Sequence, residues 1–472
     1  MKTQIKRYFL TFLALIFVFL SACSGSNVPT TETFETPADK NKTENNQFYN
    51  DKIKTLFDKD FGGANFRIAT DSSDLIVSPN AQSLIGKELY LRNRAVEEKY
   101  NVKITLTDES GLPTITDRIK TEALAGTDYC DLVILKSDQF QTLAASDALI
   151  NVRSIPYLNL DQDYYDQNAL KATTQGSYSY GFAGDFTFHP DNCFAVFFNK
   201  DLLKQTSLPD IYKLVELNQW DTENFLLYAE EVFTLGRVNG VKVSGFLSEK
   251  SKEDLVNVFW AATGFDFLVN EYGERPELVF DHNDTQRFIY MMKNLLFSST
   301  SYNTRQQNAT ESFAAGESLF FIAPLSSAKK LVGQNANWGV VPIPKLDINQ
   351  TGYYSYHDLS YCLAGFSKGT IDLNKSGLVT SALFCASAGL NQKLAIQSYL
   401  NQYLSSPEDA KMMEKIIQTP YYDPVEFFGQ IDSSYTAATQ TILHRTISSE
   451  GDFKKLYNQY LKMLNKYLDS KM

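Results

Sequence analysis

Histidine is scarce in this chain, four in 472 residues. His189, His282, His357 and His444 stand far apart, with no HExxH and no i, i+4 pair, so the common helical zinc site is missing. None of the five cysteines falls in a CxxC pair, which removes zinc-ribbon and thioredoxin-like readings. There is no P-loop and no dinucleotide fingerprint. Gly316-Glu317-Ser318-Leu319-Phe320 lacks the second glycine of a nucleophile elbow. Asp281-His282-Asn283-Asp284 resembles the start of a calcium loop, but Gln286 stands where the turn glycine belongs. These gaps favour binding over chemistry, and no cofactor, metal or catalytic residue is expected. Paired carboxylates for glycoside hydrolysis leave no sequence mark, so that activity stays open. Positive charge is also short: the formal net charge is −11. Such an acidic chain has no electrostatic footprint for nucleic acid.

What is present begins at the start of the chain. Lys2, Lys6 and Arg7 precede an apolar run from Phe9 to Leu20, and Leu20-Ser21-Ala22-Cys23 closes it. A cationic start, a short apolar core and small residues before a cleavage point describe a secretory signal peptide over residues 1–22. The run is short for a membrane span, which needs roughly 20 residues. Small residues directly before a cysteine resemble the lipobox of bacterial lipoproteins. The resemblance implies that Cys23 is lipidated and holds the protein at a cell membrane, facing the outside or the periplasm. Residues 24 to about 48 are rich in Ser, Thr, Asn, Pro, Glu and Lys. Residues 23–59 are therefore expected to be the lipidated cysteine and a flexible tether. The 450 residues left after cleavage suit two domains or two lobes.

Beyond the tether, strand and helix patterns alternate. Phe66–Thr70, Val102–Leu106 and the continuous apolar run Asp131–Leu135 predict strands. Residues 83–99 and 114–125 predict helices, the second ending at Gly126. Strands separated by helices imply an α/β fold with largely parallel sheets. Phe194–Phe198, Ser318–Ala323 and Gly339–Ile343 predict further strands, and the stretch from Gly377 is mostly helical. Aromatics make up 13% of the chain, with 27 Tyr and 33 Phe. They serve either core packing or a ring-lined cleft, and composition does not choose between the two. Cys130, Cys193, Cys362 and Cys385 lie singly in the sequence, and free thiols are expected.

Several separated segments together resemble the solute-binding lipoproteins of bacterial ABC importers, especially the sugar-binding family that includes maltose-binding protein. They are Gly86–Ile104, Asp128–Leu135, Ile155–Asn168 with Tyr164-Tyr165, Phe198–Leu203, Asn218–Asp221, Phe313–Phe320 and Trp338–Lys345. The resemblance implies a two-lobed periplasmic-binding-protein-like fold of type II, its lobes joined by a strand hinge. The chain would cross near Asp191–Asn192, near Leu359–Ala364 and near Thr419. The N-lobe would comprise 60–192 plus 360–418, and the C-lobe 193–359 plus 419–472. Ligand would lie in the interlobe cleft at the carboxyl ends of strands. Hinge closure would bury it.

Candidate ligand-binding residues follow from that picture. Asp71 and Ser72 follow the first strand. Asp138 and Gln139 follow Leu135, and Asp138 matches a polar binding loop of the relatives. Asn192 stands at the hinge where relatives carry an acid. Trp260 lies in a segment similar to one that lines the cleft, and Phe182, Asp185, Tyr354 and Tyr356 are further candidates. Leu325 stands where some relatives place a stacking Trp. A Cys193–Cys362 bridge would restrain closure. The expected function is capture of a carbohydrate, an oligosaccharide above all, and its delivery to ABC permease subunits by a monomer. A peptide or polyamine ligand, a lipid-anchored glycosidase and a sensory lipoprotein with a degenerate cleft are the alternatives.

Overall fold

The continuous apolar runs become the central strands of two sheets, and the amphipathic segments become the helices on their faces. The structure is a computed structural model. It describes residues 47–77, 83–107, 114–279, 282–298, 302–303, 308–334, 337–357, 360–404, 406–448 and 451–470. The signal peptide, Cys23, the tether up to residue 46, Asp281 and Leu359 lie outside the described residues. Everything below concerns the compact unit Phe48–Met472.

Along the chain come β1 (Ala64–Thr70), α1 (Leu84–Tyr100), β2 (Val102–Leu106), α2 (Ile115–Ala125), β3 (Leu132–Lys136) and α3 (Ser137–Ala145). Then follow β4 (Phe194–Asn199), β5 (Ser244–Ser248), α4 (Lys252–Thr263), β6 (Tyr302–Asn303), β7 (Ser318–Pro324) and β8 (Trp338–Val341). The chain continues through β9 (Ser355–Tyr356), β10 (Cys362–Gly365), α5 (Leu373–Ser387), α6 (Asn391–Gln402), α7 (Pro407–Ile417), β11 (Pro420–Tyr421) and α8 (Pro424–Ile431). Further helices end the described chain at Ser470.

The first sheet has the order β10-β3-β1-β2 and the second β6-β5-β7-β4-β8. In the first, β1 runs parallel to β2 and β3, while β10 is antiparallel to β3. In the second, β5 and β7 are parallel and β4 is antiparallel to β7 and β8. Each antiparallel strand is the one the chain makes on arriving from the other sheet. Three passages link the sheets, and they pair with one another. Cys193 bridges His357 antiparallel, and β9 runs parallel to β11. This is a two-lobed α/β architecture joined by strands.

Local chemistry explains the flanking helices. Ser83 and Thr114 accept from the backbone N–H groups of Gly86 and Asp117 and so start α1 and α2. α2 ends on Gly126 at φ 66°, a left-handed cap that suits glycine. Most of the large rings lie in the core. Phe225 stacks on Phe320 with centroids 4.6 Å apart, and the Trp220 indole donates to the Pro342 carbonyl at 2.9 Å.

Two boundaries differ from expectation. The packed chain begins before residue 60: Tyr49 and Ile53 are buried, the Tyr49 hydroxyl donates to Glu88, and Lys52 donates to the Ala388 carbonyl. Two large apolar side chains in an otherwise polar stretch are enough to dock it. The helix before the third passage, β11, is also placed differently. α7, expected with the first lobe, packs on β8 of the second sheet. There the buried Asp409 accepts from the Tyr212 hydroxyl at 2.6 Å and the Val340 N–H at 3.3 Å. α8 then returns to pack on α3 beside the first sheet. No helix among the described residues is long and apolar enough to cross a membrane.

Candidate functional site

The carboxyl ends of β3 and β5 come together on one side of the passages. Directly after β3, Asp138 lies exposed in the first turn of α3. Lys250 follows β5, and Asp254 and Asn257 sit one turn apart on α4. Tyr356 and Ser360 come from the second passage, and Glu426 and Gln430 from α8. With Thr436 and Gln440 these residues line a groove of about 420 Å³. A neighbouring hollow of about 370 Å³, lined by Lys120, Gln141, Thr142 and Ser146, shares Asp138 and Gln430 and lengthens the groove. Clefts of α/β proteins form at this point of the topology because strand ends diverge there.

The walls are polar with one aromatic face. The Tyr356 hydroxyl donates to Glu426 Oε1 at 2.8 Å, and its ring lies 5.4 Å from that of Phe194. The Lys250 ammonium also lies 5.4 Å from the Phe194 centroid. Asn257 Oδ1 is 2.9 Å from His444 Nε2, and burial holds that imidazole below its usual pKa. Asp138 accepts from the N–H of Gln139 at 2.8 Å. Under the groove, Asp423 caps α8 through the Val425 N–H at 2.8 Å. Burial, with Asp266 adding like charge, pushes the Asp423 carboxyl up to about 7.

Amides, hydroxyls and carboxylates facing a partly aromatic wall can donate to and accept from a polyhydroxylated ligand. Among the described residues, no group of three His, Cys, Asp or Glu could hold a metal ion.

The expected site residues scatter. Asp138 and Tyr356 line the groove. Gln139 is half-buried beside it, its Oε1 without a hydrogen-bond partner among the described residues. Asn192 ties the first passage to the second, donating to the Ser360 carbonyl at 2.9 Å. Asp71 is exposed at the end of β1, and the buried Ser72 hydroxyl lies 3.1 Å from it and 3.4 Å from Cys362 Sγ. Neither lines the groove. Tyr354 lines a different hollow with Arg287 and Asp347, and its ring occupies the space a Cβ at Gly264 would need.

Three of the expected residues lie away from the lining of this groove. Phe182 is fully buried among Tyr165, Phe366 and Phe384. Trp260 is core, stacked on Phe267 at 4.2 Å. Asp185 is spent on the backbone N–H groups of Asn391 and Gln392 at the start of α6, and burial pushes it up to about 6. Leu325 is buried and supplies no ring. Cys193 and Cys362 are free thiols, with Cys193 Sγ 3.3 Å from His357 Nε2.

Lys250, Asn257, Glu426 and Gln430 were not foreseen. Lys250 obeys the same rule as Asp138, a polar residue just after an apolar strand, and could have been found by it. Glu426 and Gln430 carry no local signal, because tertiary packing, on α3 above all, brings α8 to the groove.

Comparison with known proteins gives three results. The family model described as bacterial extracellular solute-binding protein matches residues 94–425. A search of curated proteins returns no match. Among solved structures, the GacH receptor of Streptomyces glaucescens GLA.O is similar, with 13% identity and a TM-score of 0.49. The alignment covers 86% of this chain and 99% of that one, a receptor solved unliganded and in complex with acarbose and an acarbose homolog.

Proposed function

The chain belongs to the bacterial extracellular solute-binding proteins, and from that premise we propose that it captures a carbohydrate in the interlobe groove. The observation that carries this reading is the lining of that groove. Asp138, Asp254, Glu426, Asn257, Gln430 and Gln440 offer acceptors and donors beside the ring of Tyr356. Sugar hydroxyls need both kinds of partner, and the apolar face of a pyranose stacks on a ring. Residues from both lobes and from the second passage meet the same ligand, so binding favours the closed arrangement. The closed, loaded protein then docks on ABC permease subunits and hands over its cargo. It acts as a monomer, without bond cleavage or a cofactor. Cys23 carries the lipid that keeps it at the outer face of the membrane.

Thermal shift of the purified protein against mono- and oligosaccharides tests the ligand. Saturation at about 100 times the dissociation constant adds about 2.7 kcal/mol to stability. One glycan class should raise Tm selectively, and Asp138→Ala and Glu426→Gln should each weaken binding about tenfold, the cost of an unpaired ligand group. A flat panel rejects the sugar and turns the search to peptides and polyamines. Turnover of a chromogenic glycoside would reject a pure binding role. Labelled palmitate entering the wild type but not Cys23→Ala tests the anchor.

A further inference from the structure

Exposed rings collect where the packed chain begins. Phe48 is 54% exposed, Phe57 58% and Tyr157 48%. The rings of Phe57 and Tyr157 stack with centroids 5.3 Å apart. One face of α5 holds both segments. Ser381 Oγ donates to the Tyr157 carbonyl at 2.9 Å, and one turn on Cys385 Sγ donates to the Lys52 carbonyl at 3.3 Å. Nearby acids are answered: Asp51 pairs with Lys54 at 3.4 Å, and Asp58 pairs with Lys99.

Tyr157 stands in a costly conformation. Its φ is 64°, in the left-handed region that bulky residues rarely enter. The other non-glycine residues with positive φ among the described ones are Asn101, Asp147, Asn218, Asn239 and Asn308. All are Asn or Asp, whose short polar side chains tolerate that region. A tyrosine kept there with half its surface in water is not explained by core packing. Single exposed rings are ordinary, but a stacked pair on a strained backbone needs a reason.

The place where the chain leaves this face supplies the reason. Residues 24–47 join Cys23 to Phe48. A flexible polar chain of that length spans roughly 25–30 Å. A compact unit the size of Phe48–Met472 has a radius of gyration of about 22 Å. The surface around Phe48 therefore meets an anchoring bilayer before the far side does.

We propose that Phe57 and Tyr157, with Phe48, seat in the head-group layer of the membrane that carries the anchor. The inference rests on the lipid at Cys23 proposed above. Aromatic side chains settle at the boundary between head groups and acyl chains. The tether keeps the local concentration of this face high, so a weak contact suffices. Seating the rings fixes the first lobe against the bilayer and leaves the second lobe free to close.

The test supplies the anchor by chemistry. A maleimide lipid is coupled to Cys23 of the mature chain, residues 23–472, in a Cys385→Ser background, the other three thiols being buried. A failure of cellular lipidation then leaves this test intact, and the palmitate experiment decides Cys23 separately. Trp220, Trp260 and Trp338 are buried, so an added tryptophan reports its own surroundings. On vesicles of phosphatidylcholine brominated near the head group, the added emission of Phe57→Trp should fall about twofold, because the ring lies at the interface. Tyr290→Trp, 66% exposed on the helix His282–Met292 between β5 and β6, should keep its emission. Adding Tyr157→Asn to Phe57→Trp suits the backbone, removes one ring and should weaken the quenching. Melting curves confirm folding of each variant. Equal quenching of the two reporters, none at Phe57→Trp, or quenching undiminished by Tyr157→Asn would overturn the proposal. So would a blue shift of Phe57→Trp that grows with protein concentration without vesicles, which assigns the rings to a second copy of the chain.

Discussion

Asp423 is the side chain whose placement matters most for pH. It is fully buried beside Asp266, caps α8, and has its carboxyl pushed up to about 7. The folded state therefore prefers its protonated form. Stability from this group is complete below the ordinary carboxylate value near pH 4 and is lost as pH rises to about 7. Asp185, pushed up to about 6, acts in the same direction over a lower window. Between pH 6 and 7.5 Asp423 lowers Tm as pH rises, while the buried His444, held below its usual pKa, pulls the other way, so the difference in slope between wild type and an Asp423 variant isolates the carboxyl. Asp423→Asn keeps an acceptor for the Val425 N–H and removes the charge. It should remove the carboxyl's share of the slope and recover roughly 2–4 kcal/mol at the upper end. A variant melting with the wild-type slope would show that Asp423 does not titrate there.

α4 illustrates why helices that were legible as helices hid their site residues. Ser251 caps it, and Gly264 ends it at φ 71°. One face carries Val256, Phe259 and Trp260 into the core, where Trp260 meets Phe267 and, edge-on, Phe288 at 5.1 Å. Asp254 and Asn257 face the groove. Neighbouring helix positions differ by about 100° in direction, so a similar segment identifies the helix without identifying its wet face. Two substitutions separate the faces. Trp260→Ala should lower stability by about 3–5 kcal/mol through the cavity it leaves. Asn257→Ala should lower stability by only about 1–3 kcal/mol, because His444 loses its partner, and should weaken ligand binding severalfold, a lost hydrogen bond to ligand being worth about 1 kcal/mol. If Asn257→Ala binds ligand as the wild type does, the groove is not the site.

The three passages govern the molecule as a whole. Asn192 holds Ser360, Cys193 lies against His357, and the Tyr422 ring stacks over His357 at 6.0 Å. Burial raises the Cys193 thiol pKa and shields it from reagents. Any opening of the lobes that disturbs these contacts exposes that sulfur. Thiol labelling followed by mass spectrometry should therefore show Cys193 reacting more slowly at saturating ligand, and faster in Asn192→Ala. Equal rates with and without ligand would mean that binding leaves the passages unchanged.

Patterns that depend on near neighbours were readable before any folding. The apolar run of β3 is buried, and Thr114 and Gly126 bound α2. Asp138 could be placed because a strand's end and the residue after it are local facts. The groove itself depends on segments nearly three hundred residues apart, Asp138 and Glu426 among them. Phe182 and Trp260 went to the core and α7 to the second lobe because burying rings and filling space between layers is a collective outcome. Composition states how many rings must be buried, and it carries no record of which ones the packing leaves at the rim.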